Sequence, residues 1–345
     1  MRSGEERRLA LRTSVRTWQG ALRLYSRGRS HRAWLQLAVF AGRKMGRRPV
    51  PTTAFLALTY RCQLHCPHCY AAVEVRGGGD EMSTAEVKSV LDELQAIGVL
   101  QVVFTGGEPL LRGDAIELVA YAHRLGLITR LNSNGLLLTD DCVGELRRAG
   151  LDKCGVSIDS ADPGVHDRLR GSPGVFERAV EALGRLRRAH IERQLLAYSS
   201  HTKLDLELER IIRLGTDIKV NSVFFTIPYL TGRWDDAFEE AFSDREMARL
   251  RGFLKHPRVV MEFPTAGTAC DAYAHAIIHV NAQGGVTTCP AVPFLIGNVR
   301  RESLADIWRR LTADRPFEFR GRCPMNNRRD RERLAAHAAA LARRP

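Results

Sequence analysis

Three cysteines, Cys62, Cys66 and Cys69, lie within one short stretch of the chain. Thiolates this close together form a soft, negatively charged corner that suits zinc or an iron–sulfur cluster. A 4Fe–4S cluster has four irons, so three protein thiolates leave one iron open to a further ligand. Zinc prefers four protein ligands, and His65 or His68 could supply the fourth. The stretch alone therefore predicts a metal centre of either kind, with buried thiols that bind no metal as the remaining alternative.

Further groups able to bind a ligand follow in three later segments: Gly106–Pro109, Asn132–Gly135, and the pair Ser157 and Asp159. Paired glycines let the backbone approach a ligand closely, and the Glu108 carboxylate can accept a hydrogen bond from an ammonium group. Each segment alone could be an ordinary turn or strand end. All three follow predicted strands, however, and βα barrels place their sites at the carboxyl ends of the strands. Together they favour a binding site built around the cysteine stretch.

The elements that position these groups alternate between strand and helix. An apolar run at Ala54–Tyr60 predicts a strand that leads directly into the cysteines. Ser83–Glu86 is a capping-box pattern that predicts the start of a helix, and residues 87–98 keep helical spacing. About six strand–helix units fit between residues 54 and 255, and hydrophobic residues make up 44% of the chain, enough for a large core. We therefore predict an α/β domain with parallel strands.

The Cys-x3-Cys-x2-Cys spacing after a first strand resembles the signature of the radical SAM superfamily, and Gly106–Pro109 resembles that family's GGEP loop after strand two. The resemblance implies a partial (β/α)6 barrel whose 4Fe–4S cluster is held by Cys62, Cys66 and Cys69. It also implies that S-adenosyl-L-methionine (SAM) chelates the open iron, and that one electron cleaves SAM to methionine and a 5′-deoxyadenosyl radical. The residues that the resemblance assigns to SAM binding are His68, Gly106, Gly107, Glu108, Asn132, Ser157 and Asp159.

The remaining cysteines fall into two groups. Cys142 and Cys154 lie in helix and strand patterns and are predicted to be small core residues. Cys270, Cys289 and Cys323 lie beyond these patterns, and the Cys-x13-Gly-x4-Cys spacing of the first two resembles the SPASM and twitch extensions of radical SAM proteins. This resemblance implies an auxiliary 4Fe–4S cluster held by the three cysteines. No cysteine follows Cys323, which favours the twitch form with one auxiliary cluster and an unassigned fourth ligand; a zinc site or unligated thiols are the alternatives.

The expected organisation has four parts: a basic helical N-terminal extension (1–50), the radical SAM core (51–258), a small C-terminal iron–sulfur module of twitch or SPASM type (259–330), and an Ala/Arg-rich tail (331–345). The net charge of +13 is concentrated at the ends, since residues 1–50 contain 13 Lys and Arg against two acids. The extension could bind an acidic partner such as a precursor peptide, an anionic membrane or RNA. It could equally be a helix packed on the barrel with a solvated basic face.

The sequence contains no predicted membrane span. The longest nearly apolar run, residues 33–42, is too short to cross a bilayer, and residues 1–30 contain no continuous apolar segment of the signal-peptide kind. We therefore expect a cytoplasmic protein with reduced cysteines.

The function expected from these features is removal of a hydrogen atom from an unactivated carbon, with a flavodoxin- or ferredoxin-type electron donor. The family resemblance favours a peptide or protein side chain as substrate, with a cross-link, oxidation or epimerisation as the result. The alternatives are a dehydrogenase or epimerase of a small natural product, such as an aminocyclitol or sugar, and a zinc-stabilised binding protein. No general base stands out. The substrate-facing candidates, chosen only for their expected position near strand ends, are Tyr70, His201, Tyr229 and Arg233.

Overall fold

A computed structural model describes residues 31–45, 49–72, 79–204, 206–235, 237, 239, 241–261, 275–313 and 323–343. Cys270 lies outside these residues, so its predicted place in the auxiliary site stays a prediction.

The described chain contains one ten-stranded sheet, and its first seven strands run parallel in sequence order. These strands are β1 (Thr53–Thr59), β2 (Gln101–Gly106), β3 (Ile128–Ser133), β4 (Lys153–Ser157), β5 (Glu192–Tyr198), β6 (Ser222–Thr226) and β7 (Val259–Met261). The predicted α/β class and partial barrel of parallel strands are confirmed. Strand β7 pairs with β6 and lies just beyond the boundary predicted for the core at residue 258.

One helix of the described core precedes the first strand, and the others lie between the strands. The helices are α1 (His31–Met45), α2 (Thr84–Ala96), α3 (Ala115–Arg124), α4 (Asp140–Arg148), α5 (Pro163–Arg170), α6 (Val175–Arg188), α7 (Glu207–Asp217) and α8 (Asp244–Gly252). The predicted capping box is confirmed at the start of α2: the Ser83 hydroxyl accepts a hydrogen bond from the Glu86 backbone N–H, and the Glu86 carboxylate accepts one from the Ser83 N–H. Such a cap satisfies two of the backbone N–H groups that a helix start leaves without partners.

The hydrophobic core lies between the strands and the surrounding helices. Leu56 and Leu58 of β1 are fully buried and pack in the same cluster as Val87, Leu91 and Leu94 of α2. The helical residues recur every three or four positions and the strand residues every second one, so each element presents one apolar face to the other. Of the two cysteines predicted for the core, Cys154 is fully buried in β4 and Cys142 is partly buried on α4.

Helix α1, the described part of the basic extension, packs on the barrel. Leu37 and Phe40 join a small buried cluster with Leu100 and Ile128, which lie at the starts of β2 and β3. The buried Gln36 amide donates to the backbone carbonyl of Val99, at 2.8 Å. The helix therefore covers the amino ends of the strands, on the side away from the predicted site.

The C-terminal module continues the same sheet. A hairpin of β8 (Ile277–Val280) and β9 (Gly285–Thr287), followed by β10 (Gly297–Asn298), forms its strands, and α9 (Leu304–Ala313) and α10 (Arg328–Ala342) form its helices. The predicted hairpin is antiparallel, and β8 pairs in parallel with β1. Most of the segment predicted as a tail belongs to α10, where Leu334 and Leu341 are buried.

Within the described residues, no helix is both long enough and apolar enough to span a bilayer.

Candidate active site

A cavity of about 220 Å³ opens at the carboxyl ends of the barrel strands. The structure brings most of the predicted site residues to its wall, namely Cys62, Cys66, His68, Cys69, Gly106, Gly107, Asn132, Ser157, Asp159 and Cys289. Tyr70 and Tyr229, two of the four substrate-facing candidates, also line it. The cysteine stretch, the strand ends and the C-terminal module therefore share one cavity.

The cysteine loop follows β1 and is fixed by backbone contacts. The Cys69 N–H donates to the Cys66 carbonyl at 3.3 Å, and the Leu64 N–H donates to the Cys62 sulfur at 3.4 Å. Burial raises the pKa of the Cys62 and Cys69 thiols. Buried thiolates are stable only with a compensating positive charge, which the irons of a cluster supply.

The turn Gly232–Trp234, after β6, braces the cysteine loop from the opposite side. Arg233 donates from its backbone N–H to the Cys69 carbonyl at 3.1 Å, and from its guanidinium to the Cys66 carbonyl at 2.7 Å. A Cβ at Gly232 would lie 2.1 Å from the Cys69 carbonyl oxygen, and φ is +73° there, so only glycine fits. Arg233 was predicted to face the substrate, but its hydrogen bonds hold the cysteine loop.

His201, the fourth substrate-facing candidate, lies elsewhere. Its Nδ1 pairs with the Glu246 carboxylate of α8, and its Nε2 lies 3.1 Å from the Glu239 carbonyl. The imidazole therefore links the loop after β5 to the start of α8.

Gly106 and Gly107 press the end of β2 against the start of the cysteine loop. Cβ atoms at these positions would lie 2.0 Å from the Thr59 carbonyl oxygen and 2.4 Å from the Arg61 carbonyl oxygen. The Gly107 N–H donates to the same Thr59 carbonyl at 2.8 Å. Two adjacent glycines are therefore required by packing between neighbouring strand ends, and both also line the cavity.

The Glu108 carboxylate, predicted to receive an ammonium group, is fully buried behind the cavity wall. It accepts hydrogen bonds from the Ser133 hydroxyl at 3.0 Å and from the Asn134 backbone N–H at 2.8 Å. Burial raises its pKa to about 7. In this structure Glu108 therefore fixes the loop after β3, and its two glycine neighbours form the cavity wall.

A buried ion pair lies beside the cysteines. The Arg170 guanidinium lies 2.6 Å from the Asp159 carboxylate and 3.7 Å from the Cys66 sulfur. Burial alone would raise the pKa of Asp159, but the charge of Arg170 and the contact with His68 hold that pKa well below its usual value. The cavity wall therefore presents a fixed positive and a fixed negative group, as a zwitterionic amino-acid ligand requires.

His68 offers a hydrogen-bond acceptor to the same cavity. Its Nε2 lies 3.2 Å from the Asp159 carboxylate, and burial lowers its pKa, so the ring is neutral with the proton directed at Asp159. Nδ1 is then an acceptor, and it is buried with no partner among the described residues. The ring stacks on Tyr198, with centroids 3.8 Å apart, and Trp234 meets both rings edge-on. These aromatic faces suit a flat ligand with an N–H donor.

Sequence reasoning did not single out several of the residues that line the cavity, among them Asn134, Arg170, Tyr198 and Trp234. Asn134 lay inside a segment already singled out, and its amide lies 3.9 Å from the Cys62 sulfur. Arg170 and Trp234 come from elements far along the chain, and no spacing pattern marks them.

Two of the three cysteines predicted for the auxiliary cluster, Cys289 and Cys323, lie within the described residues. Cys289 and Cys323 both pack against a small apolar cluster of Val292, Met325 and Leu334, defined here as the module cluster. Cys289 also lines the cavity. The structure therefore brings two of the three predicted auxiliary ligands to one side of the module.

The three cysteines of the loop, Cys62, Cys66 and Cys69, all line the one cavity. Three thiolates on one cavity wall suit a 4Fe–4S cluster with one iron open to a further ligand. The residues present fit a cluster and its amino-acid-bearing ligand, which together supply a carbon radical able to take a hydrogen atom.

Comparison with known proteins agrees with this geometry. A profile of the radical SAM superfamily matches residues 56–215, and a profile of the SPASM iron–sulfur cluster-binding domain matches residues 270–335. The chain is 31% identical to an AdoMet-dependent heme synthase of Methanosarcina barkeri over 302 residues, covering 77% of this chain and 85% of the relative. It is also 31% identical to a PqqA peptide cyclase of Rhodopseudomonas palustris over 281 residues, covering 75% and 74%.

A similar solved structure is that of Streptococcus suis SuiB bound to precursor peptide SuiA, with a TM-score of 0.64 and 15% identity, covering 78% of this chain and 67% of that one. At this identity the likeness concerns the fold. The chain therefore belongs to the radical SAM superfamily, with a SPASM domain after its core, and its cofactors are a SAM-binding 4Fe–4S cluster, SAM and an auxiliary iron–sulfur cluster.

Proposed function

We propose that this radical SAM enzyme oxidises a side chain of a peptide or protein. The observation that carries the proposal is the shared cavity: Cys289 and Ala291 of the C-terminal module line the same space as Cys62, Cys66 and Cys69. An iron–sulfur centre beside the reacting atoms suits a net oxidation, because such centres accept single electrons. A cross-link or a dehydrogenated side chain is therefore the expected product class.

The wall beyond the cysteines supplies the substrate contacts. Tyr70 and Tyr229 meet edge to face with centroids 6.1 Å apart, and the Tyr70 hydroxyl lies 3.3 Å from that of Thr105. Across the cavity the Arg130 guanidinium lies over the Phe224 ring, 5.2 Å from its centroid. These groups bind a side chain by aromatic packing and one positive charge, and they exclude water from the reacting carbon.

The peptide class is supported by the similarity to the PqqA peptide cyclase. The heme synthase similarity supports a second candidate, oxidation of a small molecule, at equal identity. The buried Arg130 favours this candidate where the small molecule carries a carboxylate, since guanidinium and carboxylate form strong charge-assisted hydrogen bonds.

Deuterium transfer distinguishes the candidates. Extract from a source strain lacking this gene, grown in deuterated water, is added to anaerobically reconstituted enzyme with SAM and dithionite. Half of the extract is first treated with a broad-specificity protease, which is then removed. With untreated extract we expect deuterium in the 5′-deoxyadenosine and a product that has lost two hydrogen-isotope atoms. With protease-treated extract we expect 5′-deoxyadenosine without deuterium.

Deuterium transfer that survives protease treatment would overturn the peptide proposal in favour of a small molecule. The control is the Cys62→Ala, Cys66→Ala, Cys69→Ala variant, which should form no 5′-deoxyadenosine in either extract. Deoxyadenosine from that variant would contradict the assignment of these cysteines.

A further inference from the structure

Two turns of the C-terminal module begin with Cys-Pro and close in the same way. In the first, the Val292 N–H donates to the Cys289 carbonyl at 3.0 Å. In the second, the Asn326 N–H donates to the Cys323 carbonyl at 3.0 Å. Val292 belongs to the module cluster, against which both cysteines pack. The two turns therefore present their cysteines to one region of the module.

The residue three positions after each cysteine closes its turn. Cys323 is the extended residue that precedes the 3₁₀ helix Pro324–Asn326, and the hydrogen bond that closes the turn holds the backbone of Asn326 beside that of Cys323. In the first turn this position holds the buried apolar Val292. In the second it holds Asn326, whose carboxamide can donate and accept hydrogen bonds. The second turn thus places a potential metal ligand beside its cysteine.

The orientation of the Asn326 carboxamide is fixed by its partner. Its Nδ2 donates to the Pro228 carbonyl oxygen at 3.0 Å. A carbonyl only accepts, so the nitrogen must face Pro228 and Oδ1 must be the other atom. Oδ1 is buried and has no donor within the described part of the chain. A buried oxygen without a partner is costly, so this atom requires a ligand of its own.

We propose that Asn326 Oδ1 is the auxiliary-cluster ligand that the sequence left unassigned, beside Cys289 and Cys323. Three observations carry the proposal: Asn326 closes the turn that begins at Cys323, its oxygen is buried without a partner in the described chain, and its anchor Pro228 lines the same cavity as Cys289. A neutral amide oxygen binds iron more weakly than a thiolate does. This iron is therefore the one at which another donor can replace the protein ligand.

The test isolates the auxiliary cluster in the Cys62→Ala, Cys66→Ala, Cys69→Ala background. Asn326→Ala, Asn326→Asp and Asn326→Cys are reconstituted anaerobically, and iron and sulfide contents and EPR spectra are measured before and after mild oxidation. We expect Asn326→Ala to lose one iron and give a three-iron signal, while Asn326→Asp and Asn326→Cys retain all four irons. Mössbauer spectra of the complete holoprotein should show one distinct iron in each cluster, and Asn326→Cys should leave only that of the SAM-binding cluster.

The aspartate variant separates ligation from positioning. It keeps a side-chain oxygen at position 326 but loses the hydrogen bond to Pro228, so a positioning role alone would make Asn326→Asp and Asn326→Ala lose iron alike. Asn327→Ala is the matched control, because it removes the bond that Asn327 Oδ1 accepts from the Asp330 N–H without touching Asn326. It should keep four irons. An Asn326→Ala protein with wild-type iron content and spectra would overturn the proposal.

Discussion

The two groups of cysteines, called here the first corner (Cys62, Cys66 and Cys69) and the second corner (Cys289 and Cys323), differ in the polarity of their surroundings. The loop Cys62–Cys69 lies beside the buried ion pair of Asp159 and Arg170, whereas Cys289 and Cys323 pack against the apolar module cluster. Fixed charges suit a corner that binds and releases a charged organic ligand. Apolar packing suits a corner whose metal centre stays in place and exchanges electrons. From this difference we infer that SAM binds at the first corner.

The contrast between the two corners predicts that substitutions of the cysteines have the largest effects on activity. Cys66→Ala should abolish SAM cleavage if Cys66 is a ligand of the SAM-binding cluster, as we predict. Cys289→Ala should retain 5′-deoxyadenosine formation from SAM and dithionite while losing the oxidised product. Chromatography of both products in the same reactions measures this separation. If Cys289→Ala also stopped SAM cleavage at full iron occupancy of the first cluster, the division between the corners would be wrong.

The next largest effect concerns Arg170. Replacing it with leucine leaves the Asp159 carboxylate buried without its cation, and such a loss destabilises a protein by about 3–5 kcal/mol. Urea unfolding of the anaerobic holoprotein measures the free energy, and SAM affinity should fall with it. Arg168→Leu, on the exposed side of the same helix, is the control and should change stability little. The double variant Asp159→Asn, Arg170→Leu should recover part of the lost stability.

A third prediction concerns pH. His279 of β8 is buried, with Nδ1 2.9 Å from the Thr287 hydroxyl, and burial lowers its pKa to about 3. The unfolded chain takes up this proton near pH 6.5 and the folded chain does not, so stability falls as pH falls below 6.5, by about 1.4 kcal/mol per unit. His279→Gln should remove this slope from urea unfolding measured between pH 7.5 and 5.5. An unchanged slope would contradict it.

Glu108, beside the first corner, should respond to pH in the opposite direction. Its folded pKa of about 7 lies above the ordinary value of 4.5, so the stability gained from its protonated form is complete below pH 4.5 and is lost as pH rises through 7. The Glu108→Gln variant, measured in the same unfolding series, should flatten this component. The same sign of change in both variants would contradict the opposite pKa shifts of Glu108 and His279.

The smallest effect is expected at the surface contact between module and barrel. The Arg300 guanidinium lies 2.7 Å from the Glu86 carboxylate, and both side chains are about one-third exposed or more. Exposed pairs of this kind contribute at most about 1 kcal/mol. Arg300→Ala should therefore change urea unfolding slightly and leave both iron contents unchanged. Loss of auxiliary iron in this variant would show that the module depends on its surface pair more than on its buried cluster.

Sequence reasoning predicted the cysteine loop, the glycine pair and the parallel strands because each depends on local spacing. Gly106 and Gly107 could be recognised in the sequence because a close approach of two backbone segments permits only glycine. Arg170 and Trp234 were not predictable, since they reach the cavity through the three-dimensional course of α5 and of the turn after β6. Glu108 was placed at the correct strand end, but whether its carboxylate faces a cavity or a neighbouring loop depends on side-chain packing, which spacing does not encode.

For Arg233 the sequence predicted the position but not the contact. Its position near a strand end was predicted, but the structure uses its guanidinium to hold the Cys66 carbonyl. The fourth auxiliary ligand was left unassigned by the sequence because an asparagine has no motif of its own. The burial of Asn326 Oδ1 is visible only in the folded chain.

The parallel pairing of β8 with β1 has a consequence for solubility. Strand β1 would otherwise be the outer edge of the barrel sheet, with a row of backbone groups free to pair with another molecule. The hairpin of the C-terminal module covers this row, because Thr53 is aligned with Ile277 and Leu56 with Val280. A barrel cut away from its module would therefore expose an aggregation-prone strand as well as lose a metal site, and the two parts can be expected to be produced and purified only together.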